Sequence, residues 1–170
     1  GFRVVLSERP RSPHARRGMA FTDALFDGIA TLQGVQACCV PDSYAVEACW
    51  REAAAIPMVS FPENLLLAEI SFDVCVEATM RRHAVPADIR SMAPLAIGLG
   101  PGYRPGINCH VAIETQWGSR MGEVLQDQPA APRSGGPRAL AGVTRARFAV
   151  SPGAGIWRTT FQLGDKIDAG

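Results

Sequence analysis

Short apolar runs rich in β-branched residues recur along the first two thirds of the chain, and amphipathic segments lie between several of them. Runs of the first kind predict strands, and apolar positions spaced three or four apart predict helices. The predicted strands are residues 3–6, 34–40, 56–61, 73–78, 95–99 and 107–113, and the predicted helices are residues 22–26, 44–55 and 65–70. Strands interleaved with short helices up to about residue 95 indicate βαβ units, and therefore an α/β fold with a mostly parallel sheet.

The last third of the chain has a different character. Residues 126–142 are rich in proline, glycine, alanine and arginine, which is typical of an extended loop. Residues 147–150 and 156–163 are strand-like again, so additional β structure is expected in the C-terminal third. The sequence thus predicts an α/β domain at 1–125 and a loop-rich extension with β strands at 126–170, either separate or part of the same domain.

The composition narrows the class of protein. A chain of 170 residues fits one compact unit, and its 47% hydrophobic and 19% charged residues are typical of a folded globular protein. A net charge of +1 argues against a nucleic-acid partner, which requires a strongly basic face. We find neither an apolar run of 18 residues nor a signal-peptide pattern, so we expect a cytoplasmic protein without membrane contact.

The five cysteines are odd in number and form no Cys-x-x-Cys pair. This pattern does not favour a disulfide scaffold, and adjacent Cys38 and Cys39 would point to opposite faces of a strand rather than chelate one metal. We therefore expect reduced, mostly buried thiols and no metal site.

The most distinctive segment is Gly-Leu-Gly-Pro-Gly-Tyr-Arg-Pro-Gly at 98–106, which follows an apolar strand. Its glycines permit positive φ and close backbone approach, so the segment could surround an anion or a flat cofactor. It is not a dinucleotide fingerprint, because Pro101 and Pro105 have no N–H and a strand follows instead of a helix. Two interpretations stay open: a ligand-contacting loop, or a stiff connection between strands.

The next predicted strand alternates cleanly. One face, predicted to be core, consists of Ile107, Cys109, Val111 and Ile113, and the other consists of Asn108, His110, Ala112 and Glu114. His110 and Glu114 would be about 13 Å apart, too far to bind one metal together, whereas Asn108 and His110, about 6.6 Å apart, could contact one ligand. Alternatively, His110 is a structural hydrogen-bonding group.

Two arginine pairs, at 16–17 and 81–82, could each clamp a phosphate or carboxylate, or could lie on a solvated surface. No nucleophile elbow, metalloprotease helix or other self-sufficient catalytic motif is present in the sequence. Whether the chain is an enzyme is therefore uncertain, and a standalone enzyme ranks below a binding or accessory role.

Taken together, the order and spacing of several motifs resemble the accessory proteins of selenium-dependent molybdenum hydroxylases over nearly the whole chain. These motifs are Ala-Arg-Arg-Gly-Met-Ala-Phe at 15–21, Phe-Asp-Gly at 26–28, Met-Ala-Pro at 92–94, Gly-Leu-Gly-Pro-Gly-Tyr at 98–103, Gly106, His110 and Ile-Glu-Thr at 113–115. The resemblance implies a Rossmann-like protein that helps to mature a molybdenum-containing hydroxylase or handle its cofactor. It implies a phosphorylated small molecule as ligand, such as a molybdopterin or nucleotide-like cofactor, and the hydroxylase as partner.

The candidate ligand-binding residues are Arg16, Arg17, Gly100, Gly102, Tyr103, Gly106, Asn108, His110, Glu114 and Thr115. Arg81 or Arg82 could supply further counter-charge. The chain departs from the family at 116–119, where Gln-Trp-Gly-Ser stands in place of Asn-Arg-Gly-His, and it lacks the family's N-terminal glycine-rich segment, which we expect to have been removed or omitted upstream. The alternative hypothesis is therefore a noncatalytic partner-binding subunit or module of a larger enzyme assembly.

Overall fold

The computed structural model describes residues 1–9, 17–52, 55–79, 86–132, 139–144, 146, 148, 150–156, 158–161 and 165–166. The chain forms two compact units, one comprising Gly1–Ser71 with Arg158–Gly170 and the other Phe72–Trp157. The predicted boundary after residue 125 falls inside the second unit.

The first unit is built on a four-stranded sheet with the order β1-β4-β3-β2. Its strands are β1 (Leu6–Ser7), β2 (Ile29–Leu32), β3 (Val35–Cys39) and β4 (Ile56–Val59), and its helices are α1 (Ala24–Asp27), α2 (Ser43–Glu52) and α3 (Glu63–Glu69). Strand β4 is parallel to both β1 and β3, while β2 is antiparallel to β3. Ala24, Ala30 and Met58 are buried together, with three partly buried side chains packed against them.

Two local features of this unit differ from the sequence prediction. Strand β2 was not predicted; it joins β3 through Gln33 and Gly34, whose φ values of 50° and 81° are those of a tight hairpin turn. Helix α2 begins at Ser43, one residue before the predicted start at 44, and the Oδ1 atom of Asp42 accepts the backbone N–H of Ala45 at 2.8 Å. Asp42 is therefore the N-cap.

The second unit contains another four-stranded sheet, with the order β5-β6-β7-β8. Its strands are β5 (Val74–Glu77), β6 (Leu95–Leu99), β7 (Val111–Ile113) and β8 (Val124–Leu125). The first three are parallel, and β8 runs antiparallel to β7. Because parallel neighbours require crossover connections, the chain between β6 and β7 must return from the carboxyl end of one strand to the amino end of the next.

The two faces of this second sheet differ in side-chain size. One face, the covered face, carries Ala96, Ala112 and Leu125, which pack under loop residues Ile89, Tyr103, Cys109 and Ala130. The other, the aliphatic face, consists of Val74, Val76, Leu95, Ile97, Leu99, Val111, Ile113 and Val124, which neighbour one another in the strand register. Several of its members are well exposed, Val76 at 52% and Val124 at 59%.

The prediction of a core face at 107–113 is accordingly wrong except at Cys109, which is buried. Ile107 is 61% exposed, and Val111 and Ile113 are only half-buried, whereas Asn108, Ala112 and Glu114 on the other predicted face are buried. The reason is steric. Small residues on the covered face leave room for the crossover chain, so this side becomes the interior even though the larger aliphatic groups lie opposite.

The protein thus has the α/β class and the mostly parallel strands that the sequence predicts. Beyond the parallel strands, β8 and an isolated bridge between Leu140 and Val143 provide the further β structure of the C-terminal part. The described residues within 147–150 and 156–163 form no strand, and the rest of these two predicted segments lies outside the described residues. None of the helices in the described ranges is both long and apolar enough to cross a membrane.

Candidate functional site

The glycine- and proline-rich segment at 98–106 begins in β6 and continues as the first part of the crossover to β7. It leaves the carboxyl end of β6, where the Gly100 N–H donates to the carbonyl of Ile113 at 3.0 Å. It reaches the amino end of β7 at Gly106, whose N–H donates to the carbonyl of Cys109 at 3.0 Å. The segment therefore crosses the covered face from one edge of the sheet to the other.

Tyr103 fixes the middle of the crossover. It is 3% exposed, and its ring lies directly on Gly98 of β6, where any side chain would overlap the ring carbons. Its hydroxyl donates to the carboxylate of Glu77 at the end of β5, and its carbonyl accepts the N–H of Ala130 at 3.1 Å. Gly98 is thus a packing requirement of Tyr103, and the predicted ligand-binding residue Tyr103 is engaged in the interior.

Asn108 fixes the second half of the same segment. Its side chain is buried, its Oδ1 accepts the N–H of Arg104 at 2.8 Å, and its Nδ2 donates to the carbonyl of Gly102 at 3.1 Å. Gly102 itself has a φ of 93°, a conformation that a residue with a side chain rarely adopts. The amide of Asn108 therefore holds the turn in shape, with both of its polar ends engaged.

Glu114 lies at the carboxyl edge of the sheet, directly after β7, and is 3% exposed. Its two carboxylate oxygens accept the backbone N–H groups of Gln116 at 2.7 Å and Ala131 at 2.8 Å. Burial acts to raise the pKa of this carboxyl, but the donors of Ala131, Gln116 and Thr115 outweigh it and lower the pKa below the ordinary value. Backbone hydrogen bonds thus hold Glu114 and Thr115 in place at this edge of the sheet. The negative charge of Glu114 disfavours a phosphate there.

His110 lies at the opposite, amino edge of the sheet and is exposed. The ring Nδ1 of His110 accepts the backbone N–H of Ala96 at 2.9 Å, and the backbone N–H of His110 donates to the carbonyl of Ala96 at 2.9 Å. With Nδ1 acting as an acceptor, the neutral ring carries its proton on Nε2. The imidazole is therefore held in one orientation and has a second nitrogen available as a donor.

Beside His110 lies a bidentate ion pair between Asp88 and Arg90. Nε and Nη2 of Arg90 donate to the two carboxylate oxygens at 2.9 and 2.7 Å, and Nη1 donates to the carbonyl of Gly106 at 2.7 Å. Hydrogen bonds from the side chain and backbone of Arg90 lower the pKa of Asp88 to about 2, and the nearby His110 adds a smaller electrostatic contribution. We call Asp88, Arg90, Gly106 and His110 the edge cluster.

Arg17 belongs to the first unit and is engaged there. Its guanidinium forms ion pairs with Asp23 and Asp27 and lies 5.1 Å from the centroid of the Phe26 ring. These contacts join the motif at 15–21 to the motif at 26–28. They give a structural reason why the two motifs occur in the same sequence. Arg16, Arg81 and Arg82 lie outside the described residues.

The structure therefore distributes the predicted site residues instead of gathering them. Gly100, Glu114 and Thr115 lie at the carboxyl edge, whereas Gly106 and His110 lie at the amino edge, separated by about 13 Å of strand. Gly102, Tyr103 and Asn108 lie between them along the crossover. Among the described residues, no group of three or more histidine, cysteine or acidic side chains is arranged to hold a metal ion.

Sequence reasoning missed Asp88 and Arg90 as members of a candidate site. The pair occurs in an irregular segment before β6, without periodicity or a recognised motif. A usable signal was the acidic and basic residue two positions apart, because a short spacing allows a bidentate contact when the backbone turns. The spacing could not indicate the hydrogen bond from Arg90 to the carbonyl of Gly106, because the position of Gly106 depends on the path of the crossover.

Comparison with known proteins finds a relative that matches the full length of this chain. The chain is 34% identical over its full 170 residues to YqeB of Escherichia coli (strain K12), which is described as an uncharacterized protein, and it spans 31% of that protein's length. No protein-family model matches the chain, and no solved structure does. The match therefore shows related sequence over the whole of this chain, and the relative's name assigns no activity.

Proposed function

We propose that this protein is a cytoplasmic accessory protein that helps to mature a molybdenum-containing hydroxylase or to handle its cofactor. We propose further that it binds a phosphorylated small molecule, of the molybdopterin or nucleotide type, at the edge cluster. The accessory role is supported by the motif resemblance, which covers nearly the whole chain. The place of binding is supported by the geometry around His110.

The oriented imidazole of His110 is the observation that carries the binding site. Its Nε2–H is a donor fixed in direction by the bond between Nδ1 and the N–H of Ala96. Arg90 uses three of the five N–H donors of a guanidinium in its contacts with Asp88 and Gly106, so two remain for a ligand at the same edge. Phosphate oxygens accept hydrogen bonds from such groups, and a donor held in place loses little entropy on binding.

Charge favours the amino edge over the carboxyl edge for this ligand. At the amino edge, Arg90 offsets the carboxylate of Asp88, and exposed Arg104 adds a positive charge from the same crossover. At the carboxyl edge, Glu114 keeps its negative charge to low pH because backbone donors stabilise the carboxylate. An anion near Glu114 would be repelled, so a phosphate is better accommodated beside His110.

Replacing His110 by alanine is expected to weaken binding of the phosphorylated ligand at least about tenfold, because one hydrogen bond to a charged group is lost. The measurement is incubation of the purified protein with molybdopterin and with nucleoside monophosphates, followed by mass spectrometry of the retained molecules and titration of whichever is retained. Arg120→Gln is the matched control, since Arg120 is an exposed arginine paired with Glu123 and lies outside the edge cluster. Equal binding by His110→Ala and the unchanged protein, or no retention by the folded protein, would contradict the proposal.

The aliphatic face favours a second candidate function, a noncatalytic module that binds a subunit of the hydroxylase. Parallel sheets are normally covered on both faces, and the described crossover residues cover only one face of the second sheet. A single aliphatic surface of eight neighbouring side chains suits the apolar surface of a protein partner better than it suits a phosphorylated ligand.

On this second reading, Val76→Lys is expected to abolish a complex with a molybdenum hydroxylase subunit, because it places a charge on the aliphatic face, next to Ile97. Co-expression followed by size-exclusion chromatography measures the complex. Val35→Lys in β3 is the matched control, since Val35 is 46% exposed and belongs to the other sheet. The second candidate fails if Val76→Lys folds and still elutes with the subunit as the unchanged protein does.

A further inference from the structure

Two thiols of the first unit lie close together although they are far apart along the chain. Cys38 belongs to β3 and Cys49 to α2, and their sulfur atoms are 3.4 Å apart. None of the five cysteines is in a disulfide, and only Cys109 is fully buried, so the prediction of mostly buried thiols is wrong. A disulfide bond is about 2.05 Å long, so the two sulfurs must approach each other by about 1.4 Å to form one.

We propose that Cys38 and Cys49 form a redox-active dithiol that is oxidised to a disulfide by a small-molecule disulfide of the glutathione class, tying α2 covalently to β3. This proposal goes beyond ligand binding at the edge cluster and does not depend on it.

The environment of the pair assigns different roles to the two sulfurs. Burial, followed by the hydrogen bond with Cys49, raises the pKa of Cys38 to about 11, so the thiol of Cys38 stays protonated near neutral pH. Cys49 is partly exposed, and its thiol donates to the carbonyl oxygen of Ala55, directly before β4, at 3.2 Å. Because the pKa of Cys38 is raised, we assign the first attack to Cys49 and the resolving role to Cys38.

The reaction balances in two steps. The thiolate of Cys49 attacks one sulfur of the small-molecule disulfide, forms a mixed disulfide and releases one thiol. Cys38 then loses its proton, attacks the Cys49 sulfur, forms the Cys38–Cys49 bond and releases the second thiol. Two electrons and two protons pass from the protein dithiol to the oxidant, which is reduced to two thiols.

The other cysteines of the described chain provide internal controls. Cys39 is exposed but is not the residue whose sulfur contacts Cys49. Cys75 lies in the second unit with its sulfur 3.9 Å from that of Met92, and Cys109 is buried in the core of that unit. Oxidation by the proposed route should leave Cys75 and Cys109 as thiols.

The test treats the full chain carrying Cys39→Ser, which prevents disulfide formation at the adjacent position, with oxidised glutathione. Remaining thiols are alkylated, and the protein is cleaved after Glu47, which separates Cys38 from Cys49 for mass spectrometry. We expect a cross-linked peptide pair that disappears on reduction, together with alkylated Cys75 and Cys109. The linked protein should also melt about 5 °C or more above the reduced protein, because the bond restricts the unfolded chain.

Cys38→Ser and Cys49→Ser should each remove the cross-link, and Cys49→Ser should also prevent the first mixed disulfide. The proposal is overturned if both thiols remain alkylatable after prolonged oxidation of the folded protein. It is equally overturned if glutathione stays attached at Cys49 without the cross-link, or if Cys75 and Cys109 are oxidised as readily as the pair. Because the parent protein alone gives these readouts, a variant that does not fold leaves the test intact.

Discussion

Replacing Gly98 by alanine is expected to lower the free energy of unfolding by about 3 kcal/mol, a large value for the addition of one methyl group. The new Cβ atom would lie 2.6 Å from Cδ2 of Tyr103 and closer still to two other ring carbons. The ring cannot withdraw without breaking its hydrogen bond to Glu77 and disturbing the carbonyl that binds Ala130. Chemical denaturation with urea, followed by circular dichroism, measures the loss.

A control glycine and a double variant make this result specific. Gly153→Ala should be nearly neutral, because no atom lies within 4 Å of the added carbon. In a Tyr103→Ala background, Gly98→Ala should cost less than about 1 kcal/mol, since the ring that it displaces is gone. If Gly98→Ala costs as much in that background as in the unchanged protein, the contact between Gly98 and Tyr103 is not the cause.

Replacing Glu114 by glutamine is expected to lower the free energy of unfolding by about 2 to 3 kcal/mol at pH 7. Both carboxylate oxygens accept backbone N–H groups, at Gln116 and Ala131. A glutamine side chain keeps one oxygen but turns an NH₂ group toward the other N–H, leaving two donors facing each other in a buried position. Equilibrium unfolding at several pH values measures the difference.

The sign of the pH dependence follows from the lowered pKa of Glu114. A carboxyl whose pKa is lower in the folded state than in the unfolded state, where it is about 4.3, stabilises the protein fully above that value. The contribution is lost as the pH falls through the folded-state pKa. The difference between the unchanged protein and Glu114→Gln should therefore be constant near neutral pH and shrink below about pH 4.

Glu123→Gln is the matched control for this experiment. Glu123 is an exposed glutamate that pairs with Arg120, and such surface pairs contribute little. Its loss should change the stability by less than about 0.5 kcal/mol. A cost for Glu123→Gln similar to that for Glu114→Gln would indicate general electrostatic destabilisation instead of lost backbone hydrogen bonds.

Local patterns in the sequence predict several elements of the fold well. Strand β6 has the predicted limits, and β3 lies within one residue of them at each end, because alternation and β-branched residues are signals that neighbours along the chain supply. Strand β2 escaped prediction, since its turn uses Gln33 in a left-handed conformation where asparagine or glycine is usual. The sequence therefore predicts a strand correctly where its residues follow the usual strand and turn preferences.

The arrangement of the candidate site was less accessible from the sequence. The sequence prediction placed Gly100 and His110 in one set of candidate ligand-binding residues. Recognition that β6 and β7 are parallel would have separated the two residues, because a parallel connection must span the sheet. The proximity of Cys38 and Cys49 depends on how α2 packs and has no sequence signal at all.

In the second sheet, small side chains are expected to tolerate substitution less well than large ones, which is the reverse of the usual relation in a protein core. Enlarging Ala96, Gly98 or Ala112 competes with the crossover chain for space, whereas the valines of the aliphatic face can be shortened without leaving a closed cavity. Amino-acid substitutions between homologues should consequently be frequent at the large residues of the aliphatic face and rare at the small residues of the covered face. The side chains that most resemble a core are those that this unit, by itself, needs least.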